Sequence, residues 1–111
     1  MEINFQDISP RERYKLLSST VIPRPIAMVS SRGLDGVDNV APYSFFNVFS
    51  EDPPIVILGL QNKDDGSPKD TTRNILTTSE FVVNMIDRRL AETMNNCAVN
   101  YPPEVSEFDI T

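Results

Sequence analysis

The spacing of apolar residues changes period several times along the chain. Residues 9–18 follow a helical pattern: Ser9 is the expected N-cap, Pro10 the first helical residue and Glu12 the reciprocal capping partner. Tyr14, Leu17 and Leu16 are then expected to face inward, and Pro23 and Pro25 forbid continuation. PIAMVSS (25–31) reads as a largely buried strand. Arg32-Gly33-Leu34-Asp35-Gly36 carries hairpin turn chemistry, because Gly33 and Gly36 tolerate positive φ. VDNVAPYS (37–44) returns as a second strand, irregular or at an edge where Pro42 lacks an N–H. Residues 45–49 continue extended, Asp52-Pro53-Pro54 breaks the run, and Ile55 to Leu60 is the strongest strand pattern, rich in β-branched residues.

After a polar loop (62–66), SPKD repeats the cap logic, with Ser67 or Asp70 as N-cap of a short helix over about 69–77. Phe81 to Ile86 reads as a further strand. Asp87 can cap a last helix whose Leu90, Met94, Cys97 and Ala98 share a face and which ends before Pro102-Pro103. The order is helix, three or four strands, helix, strand, helix. Short turns between the first strands imply antiparallel pairing, hence a barrel or α+β layout rather than a doubly wound parallel sheet.

Composition narrows the chemistry more than the fold. The 111 residues are expected to form a single domain, 1–111. A net charge of −6 without a basic run argues against nonspecific nucleic-acid binding and against an anionic membrane surface. The opening MEINFQDISP lacks the order of a signal peptide, and one cysteine allows no internal disulfide, so the cytoplasm is the expected location. With no histidine, a Ser-His-Asp triad, a Cys-His pair and a His-rich metal site are all excluded. Any redox or transfer chemistry would fall to a bound cofactor. Neither GxGxxG nor GxxxxGK[ST] is present.

Two segments stand out. SPKDTTRN (67–74) gathers hydroxyls and positive charge at a helix start, where unpaired N–H groups favour an anion; the alternative is an ordinary capped surface helix. NVAPYS (39–44) sets small and polar residues around a proline within a strand, which frees backbone groups for a ligand edge; the alternative is a bulge at a barrel corner.

Taken in order, RPIA…VS, N-x-AP-x-S-F, DPP, KDT-x-x-N and EF-V-N, from about Arg24 to Phe108, resemble the flavin reductase-like, FMN-binding split-barrel family. The resemblance implies a mainly β fold, a split β-barrel with peripheral helices, working as a homodimer with FMN near the subunit interface. It implies that the phosphate meets Lys69, Asp70, Thr71 and Asn74. The flavin ring would lie along Asn39, Ala41, Pro42, Tyr43 and Ser44, with Ser30 and Ser31 as neighbours and Arg24 in a structural role. Family domains continue past the segment that corresponds to Glu107–Thr111, so the chain is expected to hold the N-terminal portion of the barrel.

The function this implies is an FMN-dependent oxidoreductase of the flavin reductase type, drawing electrons from NADH or NADPH, with a monooxygenase as the expected partner. A non-enzymatic FMN electron carrier and a dimeric remnant without flavin are the alternatives. Cys97, on an apolar helix face, reads as a small buried hydrophobe. Tyr43, Phe45 and Phe46 could stack on a ring, but aromatic side chains in strands are more often core or interface. The acidic tail with Glu104, Glu107 and Asp109 reads as solvated surface.

Overall fold

The computed structural model describes residues 1–98 and 104–109. Ala27–Arg32 (β1) is the middle strand of an antiparallel sheet, flanked by Asp38–Tyr43 (β2) and Val82–Met85 (β5). Phe46–Glu51 (β3) and Pro54–Leu58 (β4) form a separate antiparallel ribbon with a bulge between Val48 and Ser50. The helices Pro10–Thr20 (α1), Asp70–Thr78 (α2) and Ala91–Asn96 (α3) lie around the strands. The fold is therefore mainly β with peripheral helices, and among the described residues the sheet is not closed.

The β1–β2 hairpin forms where the sequence signals it. Gly33 N–H donates to Val37 O at 3.0 Å, Gly36 N–H donates to Gly33 O at 2.9 Å, and Asp35 Oδ1 accepts from Val37 N–H at 3.0 Å. Only Gly36 uses positive φ, at 82°. Gly33 matters for a different reason: a Cβ there would lie 2.7 Å from Asp35 Oδ1 and 3.2 Å from Asn74 Oδ1, so its bareness lets α2 approach the turn. On β1 the residues Ala27, Val29 and Ser31 point inward in strict alternation. Ala27, Val29 and Tyr43 form the core, and Ala41, Phe46, Leu58, Leu60 and Val83 pack against it. β2 is an edge strand, as Pro42 requires.

Several expectations are corrected. Tyr14 and Leu17 stay exposed, at 48% and 41%, and of the three only Leu16 is half-buried. α1 sits outside the sheet, so its apolar residues meet a neighbour rather than a core; Tyr14 packs on Phe45 with ring centroids 5.7 Å apart. Ser9 does cap α1, accepting Glu12 N–H at 3.1 Å, and the helix runs to Thr20, where Arg24 Nη1 donates to the Ser18 and Val21 carbonyls at 2.6 Å each. That contact, with the guanidinium 5.4 Å from the Phe45 ring centroid, accounts for Arg24 structurally.

Neither Ser67 nor Asp70 caps α2. Asp65 Oδ1 accepts both the Ser67 N–H, at 2.8 Å, and its hydroxyl, at 2.5 Å, which draws Ser67 into the preceding loop. Lys69 takes the N-cap position without a side-chain bond, and Asp70 becomes the first helical residue. The last helix is shorter than its pattern: Asp87 caps a 3-10 turn, Arg88–Leu90, and α3 follows as a separate element. Cys97 is buried at 2% exposure, whereas Leu90 and Ala98 are exposed. β4 is present, but Ile55, Val56 and Ile57 all remain exposed, at 39%, 45% and 49%, because the ribbon has no second layer over it among the described residues.

Candidate functional site

A cavity of about 200 Å³ opens between β2 and the start of α2. β2 contributes Asn39, Ala41, Pro42 and Tyr43, and α2 with its cap contributes Lys69, Asp70 and Thr71. Two segments about thirty residues apart in sequence thus face one space. Ser44 lines an adjoining hollow of about 130 Å³ with Tyr14, Phe45, Gly59 and Gln61; that hollow shares Pro42, Tyr43 and Lys69 with the first. Ser30 and Ser31 lie elsewhere, on a depression of about 390 Å³ with Arg32, Asp38, Glu80 and Phe81. Asn74 faces a fourth space, beside the Gly33–Val37 turn.

The polar side chains at the back of the cavity are committed to one another. Thr71 Oγ1 donates to Asn39 Oδ1 at 2.9 Å. Asn39 Nδ2 donates to both Glu107 oxygens, at 2.8 and 2.9 Å, and the Val40 N–H donates to Glu107 Oε2 at 3.1 Å. Asn74 Nδ2 donates to Ser31 Oγ at 3.2 Å and ties α2 to β1 as well. Asn39, Thr71, Asn74 and Ser31 are all buried, so these bonds satisfy groups that would otherwise be costly to enclose. Thr71 is therefore not a free hydroxyl at the helix start. The Thr72 hydroxyl oxygen is buried and has no hydrogen-bond partner among the described residues.

Glu107 is the residue that sequence reasoning misplaced. It is 4% exposed, not part of a solvated tail. Its acidic neighbourhood gives no signal of this, because burial comes from a contact 67 and 68 residues away. Lys63 was also missed: the loop turn that pairs Lys63 N–H with Ser67 O at 2.9 Å brings its side chain to the cavity. Burial pushes the Tyr43 phenol above its ordinary value, so it stays neutral at neutral pH. Burial likewise raises Glu107, outweighing the bonds from its own backbone N–H and from Val40.

The open side of the cavity suits an anion. The α2 N-terminus has no side-chain cap, so its first N–H groups are not taken by one. Lys63 and Lys69 add positive charge. Asp70 opposes it, but Arg73 Nη2 donates to Asp70 Oδ1 at 2.7 Å and offsets that charge. Among the described residues, no helix is long and apolar enough to cross a membrane.

Comparison with known proteins gives a consistent answer. A protein of Aquifex aeolicus strain VF5, itself uncharacterized, is 43% identical over 109 residues, which are 98% of this chain and 56% of the relative. The crystal structure of nitrilotriacetate monooxygenase component B from Bacillus cereus superposes with a TM-score of 0.91 at 40% identity, covering 99% of this chain and 54% of that one. A protein with a split barrel domain from Shewanella frigidimarina NCIMB 400 superposes with a TM-score of 0.79 over 100% of this chain and 55% of that one; at 18% identity it shows the fold alone. The chain spans about half the length of the relatives it matches. The family model described as "Flavin reductase like domain" matches residues 18–111, and the chain belongs to that family, with its split-barrel fold.

Proposed function

We propose that this chain binds FMN in the cavity between β2 and α2 and forms the cofactor-holding part of an NAD(P)H-dependent flavin reductase-type oxidoreductase. The observation that carries the reading is the meeting of Ala41–Tyr43 with Lys69–Thr71 on one cavity. The phosphate end would be held by the uncapped α2 N-terminus together with Lys69 and Lys63, as an anion at a helix start requires. The ring would lie against the edge strand at Pro42 and Tyr43 and extend into the adjoining hollow, since a flavin needs more room than either space alone provides. Asn39 and Thr71 act from behind, fixing the strand and the helix rather than the ligand. Ser30, Ser31 and Asn74 support the frame in the same indirect way, with Ser31 and Asn74 joined to each other.

When bound, FMN would supply the hydride and electron chemistry that the side chains lack. The neutral Tyr43 phenol brings no competing negative charge to the ring. The exposed apolar ribbon, with Val48 and Phe49 at 66% and 71%, supports homodimerisation through β3 and β4. The likeness to a monooxygenase component supports service to a monooxygenase partner, and the absence of any membrane-length helix among the described residues is compatible with the cytoplasm.

Titration of FMN, followed by quenching of its fluorescence, tests the reading. Saturable binding at one flavin per chain is expected, followed by NADH or NADPH oxidation when flavin is present. A chain that quenches no flavin fluorescence at micromolar concentration overturns it.

A further inference from the structure

The flavin reading does not use Glu107. This residue begins a 3-10 turn, Glu107–Asp109, that packs against β2. A carboxylate at 4% exposure is expensive to enclose unless donors meet it. Among the described residues, β2 supplies three hydrogen bonds that do so: two from Asn39 Nδ2 and one from the Val40 N–H. The Val40 N–H points away from β1, toward the free edge of β2, so the carboxylate stands where a neighbouring strand would otherwise accept. Asn39, held on its amino side by Glu107, accepts from Thr71 on its carbonyl side. One chain of contacts therefore runs from Glu107 through β2 to the first turn of α2.

We propose that Glu107 is a positioning residue for flavin: by gripping Asn39 and the Val40 amide it sets the ring-side strand against the phosphate-side helix, so that one ligand can meet both. The proposal rests on the flavin reading above. Ionised Glu107 offers acceptors for all three bonds, whereas the protonated acid gives up one of them. Flavin affinity is then tied to the charge of a residue on the cavity wall that acts through Asn39 and the Val40 amide. The titratable groups sharing the cavity among the described residues are Lys63, Lys69, Asp70 and Tyr43; α3 is followed there by the uncharged Ala98. Of these, Asp70 adds to the upward push on the Glu107 carboxyl that burial begins.

Riboflavin is the probe, because it has no phosphate whose own titration would confuse the result. Its affinity is measured by fluorescence quenching from neutral pH downward through the acid range in which the chain stays folded, because burial raises the Glu107 carboxyl. Wild type, Glu107→Gln and Glu107→Ala are compared, with hydrogen exchange of the segment 38–43 recorded without flavin. Wild type is expected to lose affinity as the pH falls. Glu107→Gln keeps an acceptor for Val40 and is expected to bind with a flat pH profile. Glu107→Ala is expected to weaken riboflavin about tenfold and to speed Val40 exchange about tenfold, as loss of charge-assisted bonds implies. A Glu107→Gln profile with the same slope as wild type, or unchanged affinity and exchange in Glu107→Ala, overturns the proposal. If wild type binds no flavin at any pH, the flavin reading fails with the positioning role that rests on it, and Val40 exchange still decides whether Glu107 grips the strand.

Discussion

Thr71 and Asn39 meet at 2.9 Å across the junction of α2 and β2, with both side chains buried. The contact joins the two segments that line the cavity, and it does so through a donor and an acceptor that have little access to water. Replacing Thr71 by Val keeps the shape and leaves Asn39 Oδ1 without this donor. The loss is expected to lower stability by about 1–3 kcal/mol, the range for an unsatisfied buried polar group. Thr71→Ser should recover most of it. Urea unfolding midpoints at constant m-value check this.

Lys69→Ala should weaken FMN more than riboflavin. Lys69 lines both adjoining hollows and sits at the start of the helix whose uncapped N–H groups would meet the phosphate. A charge-assisted contact of this kind is worth roughly 1.5–3 kcal/mol, or about ten- to a hundredfold in affinity. Equal losses for the two ligands would place Lys69 away from the phosphate.

Gly33→Ala tests the close approach of α2 to the hairpin. The new Cβ would lie 2.7 Å from Asp35 Oδ1, which cannot swing away without releasing the Val37 N–H that it holds at 3.0 Å. Overpacking costs about 1–3 kcal/mol and exceeds the roughly 0.4–1 kcal/mol gained by restricting the unfolded chain. A lower thermal midpoint is expected, and an unchanged or higher one would show that the turn yields freely.

Stability should also depend on Glu107 ionisation. Its carboxyl lies above the ordinary value of 4.5 in the folded chain because of burial. In the pH window above 4.5, up to the folded value, the folded state binds more protons than the unfolded one, so this group's contribution falls as pH rises through the folded value. Glu107→Gln should remove that component from the pH dependence of the unfolding free energy. This runs opposite to the expected rise in riboflavin affinity. Burial penalises the charge in the free fold, while the charge improves the grip that the ligand uses.

How far the sequence reveals this molecule depends on whether a feature is local. The β1–β2 hairpin is legible because Gly36, Asp35 and the alternation of Ala27, Val29 and Ser31 act within a few residues. The N-cap of α1 is legible for the same reason. The start of α2 is not, since Asp65 competes for Ser67 from outside the cap motif. Tyr14 and Leu17 mislead because an apolar helix residue does not say whether it meets a core or only Phe45. Within the candidate site, Ala41–Tyr43 and Lys69–Thr71 are found through the family resemblance, and the cavity brings them together. Ser30 and Ser31 are drawn away by their places on β1, and Asn74, one turn beyond Thr71 on the same buried face of α2, is held by Ser31. Glu107 and Lys63 could not be read at all, because their positions follow from packing between distant segments.

The outer edge of β2 has one more consequence. Pro42 has no N–H to offer, and the Val40 N–H two residues earlier already belongs to Glu107. An intruding strand would find one donor missing and the other occupied. The edge is thereby blunted against the strand-to-strand pairing that drives unwanted aggregation, with no strand covering it among the described residues.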